Sequence, residues 1–568
     1  MARLGDMPRP SDRAAAGGVY TVRCEFNVRV PMRDGITLSA DIYRPDAPGR
    51  FPVVLARTPY NKNTERAWRY GHFFARHGYV FVWMDVRGRG DSEGEFVPYR
   101  NDARDGYDAI EWLARQPWSS GDVATWGGSY LGRIQWLTAL EKPPHLKAMI
   151  VHVTPSDPYV EWPTGTPGPM HVCWNRMTDG RVLQYVDKID WMKVYEHLPL
   201  LTMDEAAGFV SRHWREDCAH PTLDDWWEPL RYQHRFHEID LPVLHVSGWY
   251  DDKQIGTPLN FAGMVRHAPS ERARRGQKLI MGPWGHRVNE SRKLGEVDFG
   301  PEAVIDLDGY EVRWLDYWLK GIDNGIGDEP PVSLFIMGAN YWRDEHEWPL
   351  ARTQWTKFYL HSGGRANSRF GDGVLSTEPP ATDEPPDVYR YDPARPVPFI
   401  TDPLSSQIGG PDDYSAIETR GDVLVYSTPP LERDVEVTGP VKLVLYASSS
   451  AVDTDFMAKL VDVHPNGFCQ RLCDGMVRAR FREGMHKEVL MEPGKVYRFE
   501  IDLWNTAQVF KRGHRIRLEI ASSAFPKYDR NLNTGEPLAT STRMVVAENR
   551  VWHTPAWPSH LILPVIPE

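Results

Sequence analysis

Residues 125–136 read TWGGSYLGRIQW, and they place one serine, Ser129, among three glycines. The preceding DVATW has the length and apolar character of a short strand, and the following YLGRIQWLTALEK is patterned as a helix. A serine at that junction occupies a sharp, strained strand-to-helix turn. Strand and helix can approach only if the residues two before and three after it are small, and Gly127 and Gly132 meet that need. The hydroxyl is then pushed out above the sheet edge. The backbone N–H of Tyr130, at the start of the helix, points to where an oxyanion would form. The spelling is G-x-S-Y-x-G rather than G-x-S-x-G. Taken alone, the stretch is equally well read as a glycine-rich turn with no chemistry.

A nucleophilic serine so placed demands an acid after a later strand and then a histidine, in that order. LPVLHVSGWYDD sets Asp251 and Asp252 just past an apolar run, and KLIMGPWGHR sets His286 just past the next. Either residue singly reads as a surface polar group; in order and at strand ends they complete a relay. Serine is a poor nucleophile at neutral pH, so His286 must take its proton while a buried carboxylate fixes the imidazole and steadies the imidazolium.

The surrounding chain agrees. FPVVLARTPY and YVFVWMDVRG alternate with the helical patterns ERAWRYGHFFARHG and NDARDGYDAIEWLARQ, which predicts a parallel sheet with crossover helices. EFNVRVPMRDGITLSADIYRP predicts a hairpin turning at Arg33-Asp34-Gly35. Residues 155–240 lack clear strands and carry helical pieces such as RVLQYVDKIDWMKVYEHL. After Gln354 helices give way to short alternating runs broken by turn residues, as in a β-sandwich or jelly roll. STEPPATDEPPDVYRYDPARPVP reads as a long irregular surface loop. The expected organisation is an α/β domain (1–154 and 241–354) interrupted by a helical insertion (155–240) and followed by a β-sandwich or jelly roll (355–568).

Bulk properties exclude several classes. A net charge of −11 over 568 residues, with one short basic cluster at 271–277, argues against nucleic-acid binding. No apolar run reaches membrane-spanning length and the N-terminus shows no signal-peptide core, so the expected compartment is the cytoplasm. Five scattered cysteines make no disulfide framework, and Cys469 and Cys473 read as reduced thiols rather than zinc ligands. Gly88, Gly90 and Gly94 miss the dinucleotide-binding spacing. No cofactor and no metal are called for.

VPMRDGITLSADIYRP, RTPYNK, RGRGDSEGEF, GGSYLGRIQW, SGWYDD, GPWGH, SSSAVDTDFMAKLVDVHPNG and FPKYDRNLNTG together resemble the cocaine esterase-like (CocE/NonD) serine hydrolases. These are relatives of X-Pro dipeptidyl-peptidases, α-amino-acid ester hydrolases and glutaryl cephalosporin acylases. The resemblance runs from about Glu25 to about Pro564 and implies, over the same segments, an α/β-hydrolase core (1–154 and 241–354), an inserted helical cap (155–240) and a C-terminal β jelly roll (355–568). Carried over by motif, it implies Ser129 as nucleophile, Asp251 rather than Asp252 as acid, His286 as base, and Tyr60 as side-chain donor to the oxyanion beside the Tyr130 amide. The implied substrate is a small carboxylic ester, with amides and X-Pro peptides as alternatives. A binding protein on an inactive scaffold is a further alternative, opposed by the intact Ser129, Asp251 and His286. Oligomeric state stays open between a single chain and a homo-oligomer.

The chain departs from the resembled esterases at two places. Lys253 stands two after the acid, where those members carry an aromatic residue, and Thr401–Gly410 reads TDPLSSQIGG instead of an apolar pocket wall. These departures raise a polar, carboxylate-bearing acyl group as a hypothesis, against a Lys253 that turns to solvent or pairs with Asp252. Trp162 is a candidate pocket aromatic. Asp157 and Glu161 lie in the region where an amine-recognising carboxylate cluster would be needed.

Overall fold

The computed structural model describes residues 19–401 and 408–567. Its first sheet opens with the hairpin β1 (Val22–Pro31) and β2 (Thr37–Pro45), then β3 (Phe51–Thr58). Helix α1 (Glu65–Arg76) leads to β4 (Val80–Asp85), α2 (Asp102–Ala114) to β5 (Ser119–Gly128), and α3 (Tyr130–Leu140) to β6 (Leu146–His152). No strand occurs between His152 and Val243, where α4 (His171–Met177), α5 (Trp191–Tyr195), α6 (Met203–Ala206) and α7 (Arg212–Ala219) lie. The sheet resumes with β7 (Val243–Gly248), α8 (Gly256–His267), α9 (Glu271–Arg275) and β8 (Gln277–Gly282). A two-residue ladder, β9 (Lys293–Leu294) with β10 (Val297–Asp298), precedes α10 (Leu307–Lys320), β11 (Val332–Ile336) and β12 (Tyr341–Glu345).

The ten strands run in the order β1-β2-β4-β3-β5-β6-β7-β8-β11-β12. From β4 to β11 every neighbouring pair is parallel. Parallel strands covered on both faces must be apolar on both, which is why they appear in the sequence as continuous apolar runs. One face packs α1 and α10 around Phe74, Trp126 and Trp314; the other packs α2 and α8 around Ile110, Trp136 and Met264.

The remaining strands are β13 (Gln354–His361), β14 (Val374–Ser376), β15 (Asp387–Tyr391), β16 (Leu424–Ser427), β17 (Val435–Ser449), β18 (Asp455–Val463), β19 (Cys469–Arg478), β20 (Tyr497–Phe510), β21 (Arg515–Ala521), β22 (Ala547–Trp552) and β23 (His560–Ile566). They form one mainly antiparallel eleven-stranded sheet around a core that includes Phe456, Leu472 and Phe499. It docks on the first sheet through Met337, whose N–H donates to Ala507 O at 2.9 Å and whose carbonyl accepts from Val509 N at 2.8 Å.

Two local expectations are corrected. RVLQYVDKIDWMKVYEHL (181–198) is helical only over Trp191–Tyr195. Asp190 caps that helix by accepting from Lys193 N, and Val182, Leu183 and Tyr185 are exposed, so their apolar spacing marks no buried helix face. The segment read as an irregular loop contains β15, whose Asp387, Tyr389 and Tyr391 point inward while it pairs with β22. Its five alternating residues are hidden by flanking prolines and acids. Cys469 and Cys473 are buried, free and on β19. Among the described residues no helix is long and apolar enough to cross a membrane.

Candidate active site

Ser129 bridges β5 and α3 with φ 58° and ψ −123°, a left-handed backbone that a residue with a Cβ adopts only under constraint. The constraint is visible. Ser129 N–H donates to His152 O at 3.0 Å, and its carbonyl accepts from the amides of Gly132 and Arg133. A Cβ on Gly127 would stand 2.7 Å from the Leu131 side chain, and one on Gly132 3.0 Å from His152 O. The glycines are therefore a steric requirement of the turn.

Asp251 follows β7 and His286 follows β8, so parallel neighbours deliver both residues to one edge of the sheet. Their loops are stitched together, with Trp249 N–H donating to Gly282 O at 2.9 Å and Tyr250 N–H to Trp284 O at 3.0 Å. Gly248 permits this, since a Cβ there would lie 2.0 Å from Trp284 O. His286 Nδ1 meets Asp251 Oδ1 at 2.7 Å, and Ser247 Oγ donates to Asp251 Oδ2 at 2.9 Å. Asp252 stands at the same imidazole, its Oδ1 3.1 Å from Nδ1.

Burial alone would push the His286 pKa down. The Asp252 and Asp251 carboxylates outweigh it and hold the imidazole above its ordinary value. Burial raises the Asp251 carboxyl, with His286 opposing. The same burial acts on Asp252, but Lys253 and His286 overcome it and keep that carboxyl below the usual range.

Tyr60 follows β3, and its buried phenol lines the same cavity as Ser129; burial pushes its pKa up, opposed by the neighbouring Trp174 and Ser129 side chains. The Trp174 indole, on α4, donates to the Tyr60 oxygen at 3.0 Å. That bond occupies an acceptor site of the phenol and leaves its own proton free for an acceptor in the cavity. Tyr130 contributes differently. Its phenol is engaged in a 2.6 Å bond to Asp102, but its amide opens α3 and has no intrahelical acceptor.

Ser129, His286 and Tyr60 line one cavity of about 150 Å³, closed by the inserted helices and by the second sheet. Lys253 and Trp162 line it too, with the ammonium 4.3 Å from the centre of the Trp162 ring and 3.2 Å from Asp252 Oδ2. Lys253 does not turn to solvent; it pairs with Asp252 while facing the cavity. Glu161 lines the same cavity, accepting from Ser156 N at 2.6 Å. Asp157 is drawn away from it, accepting the amides of Tyr232 and Gln233, so the two carboxylates do not form a cluster. Of the stretch 401–410, residues 402–407 lie outside the described residues; Ile408 reaches the cavity.

Sequence reasoning missed Trp174, the second carboxylate at His286, and Lys527, whose ammonium sits 4.5 Å from the Trp504 ring on the cavity wall. Trp174 lies in MHVCWNRM, where nothing distinguishes it from an ordinary core aromatic.

Comparison with known proteins fits this geometry. Residues 34–288 match the model of the X-Pro dipeptidyl-peptidase (S15) family, and residues 324–562 match the X-Pro dipeptidyl-peptidase C-terminal non-catalytic domain. The chain is 38% identical to cocaine esterase of Rhodococcus sp. (strain MB1 Bresler), over 97% of its own length and 99% of the esterase's. Among solved structures, an α-amino acid ester hydrolase superposes with a TM-score of 0.84 at 26% identity, covering 96% of this chain and 97% of that one. An aminopeptidase from a marine sediment Thaumarchaeota archaeon gives 0.84 at 27% identity, covering 97% of each chain. With a strained serine, a carboxylate-held imidazole and a buried phenol converging on one cavity, the chain belongs to the cocaine esterase-like (CocE/NonD) family of serine hydrolases.

Proposed function

We propose that the protein hydrolyses small carboxylic esters through an acyl-enzyme on Ser129. His286 accepts the Ser129 proton as Oγ bonds to the ester carbonyl carbon, and the tetrahedral oxyanion takes hydrogen bonds from the Tyr60 phenol and the Tyr130 amide. Collapse expels the alcohol, which carries off the proton held by His286. Water, deprotonated by the same imidazole, then releases the acid and restores Ser129. Asp251 fixes the Nδ1–H tautomer so that Nε2 is the nitrogen that exchanges protons. The observation that carries this reading is the 2.7 Å Asp251–His286 contact at a cavity that the strained Ser129 and the Tyr60 phenol also line. A serine-directed phosphonate is expected to add one adduct, mapped by mass spectrometry to Ser129. An unmodified Ser129 after prolonged exposure would count against the proposal and favour a binding protein on a silent scaffold.

The C-terminal strands serve in this reading as a jelly roll that walls the cavity, beyond a core of 1–154 and 241–354 and a cap of 155–240. The compartment it assumes is the cytoplasm, where five free thiols stay reduced. Lys253 takes part through its neighbours. Its charge is matched by Asp252 and Glu161, which weakens the case for a carboxylate-bearing acyl group. Glu161, facing Lys253, is likewise no free anchor for a substrate amine, which favours an ester over an X-Pro peptide.

This arrangement makes a prediction about pH. The base must be neutral to accept a proton, so kcat/KM falls as pH drops through the His286 pKa. The Asp252 carboxylate raises that pKa. In an Asp252→Asn variant the acid limb is expected to move down by about one pH unit. Lys253→Ala removes a cation that opposes the imidazolium, and its limb should move up. Profiles that stay superimposed in both variants would show that Asp252 does not act on His286.

A further inference from the structure

Away from the cavity, two histidines and an aspartate meet at one end of the second sheet. Asp462 is on β18, His464 opens the turn from β18 to β19, and His514 precedes β21. Strand register puts Gln470 directly opposite Asp462, so the two side chains share a face of the sheet. His514 Nδ1 is 2.8 Å from Asp462 Oδ1. His464 Nε2 is 3.1 Å from Gln470 Oε1 and 3.9 Å from Asp462 Oδ2. One ligand atom each from Asp462, His464 and His514 lies within 4.8 Å of the others.

We propose that Asp462, His464 and His514, with Gln470 Oε1 as a fourth donor, bind a divalent transition-metal ion of the zinc class. Donors about 2.0–2.2 Å from a tetrahedral zinc are separated from each other by roughly 3.3–3.6 Å. The separations of 2.8, 3.1 and 3.9 Å straddle that range, so small side-chain shifts would bring the set around one ion. Two imidazoles, one carboxylate and one amide oxygen suit zinc or cobalt better than calcium or magnesium, which prefer all-oxygen sites. Each imidazole would bind neutral, its ring proton residing on the nitrogen turned away from the ion.

The set is also held in place from outside. Gln508 Nε2 donates to Asp462 Oδ2 at 2.8 Å, and the turn under His464 is closed by His464 N–H to Phe468 O at 2.9 Å. Such supports orient metal ligands and fix their geometry. Asp462 is buried, while the two imidazoles keep a face toward solvent through which an ion can enter. The sequence hid this site because 462 and 464 are joined to 514 only by the pairing of β18 with β21. Gln470 Nε2 in turn donates to the Tyr250 phenol at 3.1 Å, one residue from Asp251. An ion here would therefore brace the strand ends against the loop that carries the acid.

Cobalt(II) titrated into the tag-free full-length chain is expected to give one bound equivalent with the intense visible absorption of a tetrahedral site, and zinc should displace it and raise Tm. His464→Gln combined with His514→Gln should weaken binding more than about 100-fold and abolish the Tm rise, with metal-free ester hydrolysis unchanged. Among the described residues the one other such cluster is Asp251, Asp252 and His286, so His286→Ala is the control and should still bind one equivalent. The proposal is overturned if the full-length chain binds no cobalt or zinc at micromolar concentration, or if uptake is lost in His286→Ala and kept in the double variant. Should the double variant fail to fold, anomalous scattering from zinc-soaked crystals decides, since a peak between His464 and His514 is required.

Discussion

Replacing Ser129 with alanine is expected to lower kcat for a nitrophenyl ester by about 10⁴–10⁶ while leaving KM within a few-fold. The asymmetry follows from what the hydroxyl does. It forms the bond to the acyl carbon, an interaction absent from the ground state, so its loss falls on the transition state alone. Alanine carries the same Cβ into the left-handed turn at φ 58°, and the glycines that give the turn its room are untouched. The fold should therefore survive, with an unchanged Tm as the accompanying check. The residual rate comes from the two oxyanion donors and from binding. His286→Ala should fall in the same range, and the double variant should be scarcely worse than either single one, because the two side chains act as a unit. Retention of more than a tenth of the activity in Ser129→Ala would remove the assignment.

The second large effect is expected at Tyr60. Tyr60→Phe keeps the ring in its buried place and deletes one donor, and kcat should fall by about 10²–10³. The developing alkoxide accepts a hydrogen bond more strongly than the ester carbonyl does, so KM should change little. Trp174→Phe should produce a smaller loss in the same parameter, about 3–10-fold, as expected for a neutral hydrogen bond made to the phenol rather than to substrate. Its ring can still stack near His171 and Tyr130, whose centroids lie 5.2 Å and 6.0 Å away. Steady-state kinetics on one ester separates these cases. A Tyr60→Phe enzyme with wild-type kcat would show that the phenol is not an oxyanion donor.

What the sequence made legible, and what it did not, divides along physical lines. The α/β core could be read because strands buried on both faces are unbroken apolar runs, and because Ser129, Asp251 and His286 each stand just past one of them. Their order follows from the order of parallel strands, which a linear string preserves. Trp174 to Tyr60 is a contact across 114 residues and between two parts of the fold, and no local pattern encodes it. Asp252 could be seen as a neighbour of Asp251, but that both carboxylates reach one imidazole depends on the loop that Gly248 allows to close. β15 was missed because five alternating residues between prolines carry too little signal. The stretch 181–198 has helical spacing over its whole length but is helical only over Trp191–Tyr195. Val182, Leu183, Tyr185 and Met192 are exposed and give a longer helix no face to bury.

The indole that holds the Tyr60 phenol belongs to the insert, whereas the phenol belongs to the sheet. The two parts are consequently not interchangeable cassettes. A chimera that grafts a foreign insert between His152 and Val243 could pack well and accept substrate, yet turn over slowly for want of one N–H. Recombination libraries built on this scaffold should keep Trp174 and Tyr60 on the same parental fragment, or screen for a replacement donor at that point.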